Sequence, residues 1–323
     1  MRRPWVLLAA CLGTGVAAAD TEAQAWLDKM NHAVATLNYQ GTFIYRHGEH
    51  VESMQIVHGY DANGERERLV SLTGEAREIV RDRDVLTCIW PESRSVVIES
   101  GVAHGGLPAV LPGAGDQALE SYEYALGRMQ RVAGKPCREV VVNPRDRLRF
   151  GYRVCVADDS GIPLRSEIVD ADGRIVEQLM FTSFELIDQV PEERLKPQVT
   201  PSPDYTTRRV DADAEAPAQE PDPGWVFEGL PPGFTVSANF RRHMAVDREP
   251  VQHILLTDGL ASVSVFIAQP AEPEQLYHGS SGSGALHAFT TAVDGHQVTV
   301  IGEVPEATVE QIGQSLRYAG DKP

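Results

Sequence analysis

The chain has 323 residues, with 46 acidic side chains against 29 basic ones and a formal charge of −17. A length of this order points to two domains. The acidic balance excludes a charge-driven hold on nucleic acid, whose phosphates require a basic face, and disfavours adhesion to anionic membranes.

In chain order, Arg2 and Arg3 precede an apolar run from Trp5 to Val16, and Val16-Ala17-Ala18-Ala19 supplies small residues before Asp20. This is the pattern of a secretory signal peptide over residues 1–19, cleaved after Ala19. The run is shorter than the ~20 residues that a membrane span needs. Leu8-Ala9-Ala10-Cys11 also matches a bacterial lipid-attachment pattern. Too few residues precede Cys11 for a charged segment plus apolar core, so cleavage after Ala19 is the favoured reading and the periplasm the expected location.

Thr21 and Gln24 form a capping box, and Trp26, Met30, Ala33 and Leu37 recur on one helical face. From Tyr39 to about Phe184 follow runs rich in Val, Ile, Tyr and Phe. Turn signals such as His47-Gly48-Glu49-His50, Asp61-Ala62-Asn63-Gly64 and Asp170-Ala171-Asp172-Gly173 divide them. Such short connections fit antiparallel strands. The expectation is an α+β domain over 20–198, one helix against a large meandering sheet with a concave face. Between 199 and 223 five prolines alternate with Asp, Glu and Ala, which predicts an extended Pro-rich linker.

A small α+β domain over 224–323 completes the chain. Asp258-Gly259 and Asp294-Gly295 each separate two β-rich runs, a strong hairpin signal. Pro305 opens a helix in which Val309, Ile312 and Leu316 share a face. Four or five antiparallel strands with one helix are expected, and Gly279–Gly284 reads as a flexible loop between strands.

Cys137 and Cys155 flank a predicted hairpin. With its tip near Pro144–Arg147, Cys137 falls opposite Cys155, and Val141 opposite Gly151. Opposed positions lie within disulfide range, and an oxidising compartment permits the bond. A one-residue change of register would leave two buried thiols instead. Cys88 is expected simply to pack.

Catalytic motifs are absent. His47-Gly48-Glu49-His50 lacks the helical spacing of a zinc peptidase, so its histidines read as solvated turn residues, and no metal site or cofactor is expected. Neither a nucleophile elbow nor a phosphate loop occurs. Among basic residues, Arg145, Arg147 and Arg149 alternate, as they would on one face of a strand. They are candidates for contact with anions, the alternative being a solvated hairpin edge. Arg208-Arg209 and Arg241-Arg242 form two further pairs.

Taken together, the chain resembles the MucB/RseB family. In the first domain the likeness is carried by Met30 with Leu37-Asn38-Tyr39, by Arg77-Glu78-Ile79-Val80, and by Asp172-Gly173 with Glu177-Gln178. In the second it is carried by Gly224-Trp225, Leu230-Pro231-Pro232-Gly233-Phe234, Asp258-Gly259-Leu260, Ser262-Val263-Ser264-Val265 and Gly302-Glu303-Val304-Pro305. The resemblance implies a lipoprotein-carrier-like antiparallel half-barrel, partly plugged by helix, plus a smaller antiparallel sheet domain with one helix. It implies no enzyme. It implies a periplasmic negative regulator of the envelope-stress sigma factor pathway that binds the periplasmic region of an inner-membrane anti-sigma factor and shields it from proteolysis. Lipid or lipopolysaccharide would release that grip, and a homo-oligomer is compatible with the role. A lipid or lipoprotein carrier is the alternative, for which the first domain alone would suffice. For an acyl chain in the hollow the candidates are Phe43, Tyr45, Ile56 and Trp90; for the partner surface they are Arg241 and Arg242.

Overall fold

The computed structural model describes residues 15–100, 118–211, 223–242, 250–269 and 276–320. Arg2, Arg3 and Cys11 lie outside these residues, as do the side chains of Ala19, Val210, Asp211 and Arg242. Helix α1 runs Gly15–Thr36. Thr21 therefore sits within it rather than capping it, because the Ala-rich stretch before it is itself a good helix former.

The strands β1 (Tyr39–His47), β2 (His50–Asp61), β3 (Gly64–Ser71), β4 (Glu78–Asp82), β5 (Val85–Trp90) and β6 (Ser95–Ser100) form an antiparallel meander. After a short helix α2 (Ala118–Ser121), a second meander comprises β7 (Tyr122–Val132), β8 (Lys135–Pro144), β9 (Gly151–Ala157), β10 (Pro163–Val169) and β11 (Ile175–Leu186). Pairing of β1 with β11 joins the two into one sheet. Buried Ala23, Leu27, Met30, Ala33 and Val34 of α1 pack on its inner face against Phe43, Ile56, Val140, Val154 and Phe181.

Chain beyond β11 turns behind the first meander. The buried Glu78 carboxylate accepts the backbone N–H groups of Gln198 and Val199 at 2.9–3.1 Å and pairs with Arg68, also buried. Strand β12 (Thr206–Asp211) then adds parallel to β6 as the twelfth strand. The linker expected over 199–223 is thus partly sheet. Its Thr206-Thr207 with Val210 is a β-branched run that proline content masked, and parallel pairing became available once the chain had crossed the back of the sheet.

In the second lobe β14 (Thr235–Arg242), β15 (Val251–Thr257), β16 (Ser262–Ala268), β17 (Gly279–Ser283), β18 (Leu286–Val293) and β19 (His296–Gly302) make a six-stranded antiparallel sheet. It follows β13 (Trp225–Phe227) and precedes α3 (Glu306–Ser315) and β20 (Leu316–Tyr318), β13 and β20 forming a ribbon of their own. Both Asp-Gly hairpins form as expected. Two expectations are corrected. The sheet has six strands rather than four or five, and residues Gly279–Ser283 pair with β18 as an edge strand rather than looping freely. Small side chains do not prevent ladder hydrogen bonds; they weaken side-chain packing, which an edge strand needs least. Val309, Ile312 and Leu316 are fully buried against Val263, Val265, Val298 and Val300.

Cys137 and Cys155 form a disulfide with Cα atoms 5.4 Å apart. The register differs from expectation: Cys137 lies opposite Ala157, and Cys155 opposite Glu139. Arg145–Phe150 makes a longer connection than a tight tip at Pro144–Arg147. A shift of two residues preserves which face each side chain occupies, so the cysteines meet diagonally. Cys88 is free and half-buried.

Candidate functional site

A buried polar cluster lies at the seam between the two lobes. Its centre is Asp258, fully buried at the tip of the β15–β16 hairpin. One carboxylate oxygen accepts the backbone N–H groups of Leu260 and Ala261 at 3.0 and 2.8 Å, holding the turn. The other accepts the Tyr122 hydroxyl at 3.0 Å and Arg149 Nε at 2.5 Å, both from the first lobe. Arg149 is only 1 % exposed. Its remaining nitrogens reach Asp146 and the Pro232 carbonyl, and its guanidinium stacks 5.0 Å from the Phe234 ring. Gly259 stands at φ +96°, where a Cβ would come within 2.8 Å of the Ala118 backbone nitrogen. Glycine therefore serves both the turn and the close approach. Leu260 and Ala285 of the second lobe are buried in the first lobe's core, and Thr308 donates to the Leu148 carbonyl at 2.7 Å.

A second cluster lies along the same seam. Glu177 on β11 stands opposite His47 on β1 and is buried. Its carboxylate lies 2.8 Å from His47 Nδ1 and accepts the Tyr45 hydroxyl and the Ala285 backbone N–H, each at 2.9 Å. His47 Nε2 lies 2.8 Å from the Ser283 hydroxyl. His47 is thus a lobe-to-lobe contact and not a solvated turn residue, whereas His50 is exposed. Glu303 sits at the rim. Lost hydration and the nearby Glu177 carboxylate raise its pKa above the ordinary carboxylate range, opposed by His47. A carboxyl raised on folding is more stable protonated, so its contribution is greatest below its unfolded pKa and is lost as pH rises through the folded one. Glu303→Gln is expected to match the parent's thermal midpoint near pH 4 and to exceed it at pH 8. Parallel melting curves across that range check it; a constant difference between the two would contradict the assignment.

The other expected site residues are dispersed. Phe43 and Ile56 are fully buried beneath α1; Tyr45 and Trp90 are half-buried. A cleft of about 660 Å³ lies along the opposite face of β1 and β11, lined by Gln40, Thr42, Ser183 and Arg194, and touches none of these four. Arg145, Arg147 and Arg149 lie in the β8–β9 connection rather than on a strand, and so do not share a face. Exposed Arg145 pairs with Glu123 and exposed Arg147 with Asp172, while Arg149 turns inward to Asp258. Arg241 lines a cleft of about 200 Å³ with Trp225, Gln252 and His296.

The seam itself was not anticipated. A signal existed in Asp258-Gly259-Leu260-Ala261: a hairpin tip that is apolar immediately after its turn must dock somewhere, because exposed tips are usually polar.

Two large, mainly antiparallel sheets, fastened through a buried arginine–aspartate–tyrosine cluster, define a two-lobed β-rich protein. The MucB/RseB N-terminal domain model matches residues 22–199 and the MucB/RseB C-terminal domain model residues 219–317. The chain belongs to the MucB/RseB family. It is 30% identical over 304 residues to the sigma factor AlgU regulatory protein MucB of Pseudomonas aeruginosa, covering 92% of this chain and 91% of that one. To the sigma-E factor regulatory protein RseB of Escherichia coli strain K12 it is 24% identical over 98% of its length and 99% of the relative's. Among solved structures it is similar to the Pseudomonas aeruginosa MucA/MucB complex, with a TM-score of 0.69, 29% identity, and coverage of 93% of this chain and 99% of that one. No helix among the described residues is long and apolar enough to cross a membrane.

Proposed function

We propose that the protein is a periplasmic regulator that binds the exported segment of a membrane-spanning anti-sigma factor, shields it from proteolysis, and loosens its hold when a lipid or lipopolysaccharide signal arrives. The observation that carries this reading is the match to both family domains, in order, along nearly the whole chain. A carrier of lipid would need the first lobe alone. A relative with the same two lobes is a sigma factor regulatory protein, and MucB has been crystallised in complex with MucA(peri).

For the lipid signal, support comes from the inner face of the first meander. Ile56, Leu69, Ile79, Cys88 and Val97 follow one another across β2 to β6 as direct cross-strand partners. Burial falls along this row, from Ile56 and Leu69 under α1 to half-exposed Ile79, Cys88 and Val97. Trp90, two residues beyond Cys88, extends this shelf. An acyl chain laid over it would gain about 0.8 kcal/mol per buried CH₂, and Phe43 and Ile56 mark the closed end and Tyr45 its border toward the seam. Release requires the lipid and the anti-sigma segment to favour different arrangements, since a ligand equal toward both shifts nothing. Lobes held by a few named contacts supply two such arrangements, docked and parted.

The test is titration of the mature protein with the exported anti-sigma segment, with and without lipopolysaccharide. Binding that weakens as lipopolysaccharide is added is the expected result; no binding of the segment would overturn the reading. On the same assay Arg241→Ala with Arg242→Ala should weaken the segment's affinity by about tenfold, the scale for losing interfacial charge. Unchanged affinity would remove those arginines from the partner surface.

A further inference from the structure

We propose that His58, Glu65 and Glu67, on the inner face where β2 meets β3, form a binding site for a divalent transition-metal cation of the zinc class. His58 and Glu67 are direct cross-strand partners, and Glu65 lies two residues from Glu67, on the same face. One ligand atom from each of the three lies within 4.8 Å of the others. His58 is fully buried and Glu67 nearly so, while Glu65 keeps a partial opening to solvent through which an ion could enter.

The hydrogen bonding supports a cation here. His58 Nδ1 lies 2.7 Å from the Leu37 carbonyl. A carbonyl can only accept, so in the neutral ring Nδ1 carries the proton and Nε2 its lone pair. That lone pair points at Glu65 Oε1, 3.2 Å away, where an ionised carboxylate offers a second acceptor. Two acceptors facing each other require a proton or a cation between them. Glu67 Oε2 and the Tyr39 hydroxyl are both buried without a hydrogen-bond partner. The Tyr39 ring stacks on His58 with centroids 4.7 Å apart, which fixes the plane of the imidazole. Arg81, the buried cross-strand partner of Glu67 on β4, forms no ion pair with it within 4 Å among the described residues.

One imidazole and two carboxylates are a ligand set that zinc accepts, and an imidazole whose other nitrogen donates to a backbone carbonyl is the usual oriented ligand. Around zinc with bonds of ~2.0–2.1 Å, tetrahedral neighbours lie roughly 3.3 Å apart, close to the separation of His58 Nε2 and Glu65 Oε1. A water would complete the shell. Sequence spacing hides such a site, because its ligands lie on two neighbouring strands with a hairpin between them.

The experiment is zinc titration of the untagged mature protein, stripped with chelator, in competition with a chromophoric chelator. One equivalent is expected to bind and to raise the thermal midpoint. His58→Gln and Glu65→Gln should each weaken binding by on the order of a hundredfold. Glu65 is partly exposed, so its variant keeps the fold, which circular dichroism verifies, and it decides the question even if His58→Gln unfolds. Absence of stoichiometric binding to the parent, or equal affinity in a folded Glu65→Gln, overturns the proposal.

Discussion

Replacing Asp258 with alanine is expected to lower stability by about 3–5 kcal/mol, the range for removing one partner of a buried ion pair. Arg149 would remain in the interior with only one paired carboxylate, that of partly exposed Asp146, and the Tyr122 hydroxyl would lose its acceptor. The β15–β16 turn would also lose two backbone hydrogen bonds. Asp258→Asn keeps an acceptor for the turn while removing the charge, so it should cost less. Because the damage is shared between lobes, the loss should appear as parting of the lobes as well as a lower urea midpoint. Small-angle scattering would show an increased radius of gyration before secondary structure is lost. If Asp258→Ala unfolds at the parent's midpoint and keeps its dimensions, the seam is not what fastens the lobes.

Breaking the Cys137–Cys155 bond ranks next. The bond closes a loop between residues 18 apart, worth about 3 kcal/mol in the chain-entropy model. Both cysteines are fully buried in the first lobe's core, near Val140 and Val154. Cys137→Ala with Cys155→Ala should therefore lower the urea midpoint. A reductant should reproduce the loss in the parent and do nothing further to the double variant. Equal midpoints for parent and double variant would show that the bond contributes no stability.

Much of the fold was legible because it depends on local rules. Glycine at the Asp258-Gly259 and Asp294-Gly295 turns dictates hairpins whatever surrounds them, and the α3 face at Val309, Ile312 and Leu316 follows from helical period alone. Misread elements were settled by distant partners. Thr206–Asp211 becomes a strand only because β6 has a free edge, and Gly279–Ser283 only because β18 does. At the candidate site the difference is sharper. Arg149 shares its alternating spacing with Arg145 and Arg147, yet a six-residue connection turns it inward to a carboxylate 109 positions away. Glu177 was visible only as part of a family motif, and its role as a junction of His47, Tyr45 and Ala285 exists only once β1 lies beside β11 and the second lobe is docked.

The β1–β11 pairing also matters while the chain is being made. Gln40 and Glu185 bond across that ladder from positions 145 residues apart. A chain threaded out amino end first exposes β1 well before β11 exists, with one flank lined by β2 and the other open. Until β11 arrives, that flank can be taken by any extended segment nearby, including the same strand of a neighbouring nascent copy. Crowding of nascent copies should therefore penalise this protein more than one whose first strand finds its neighbours locally.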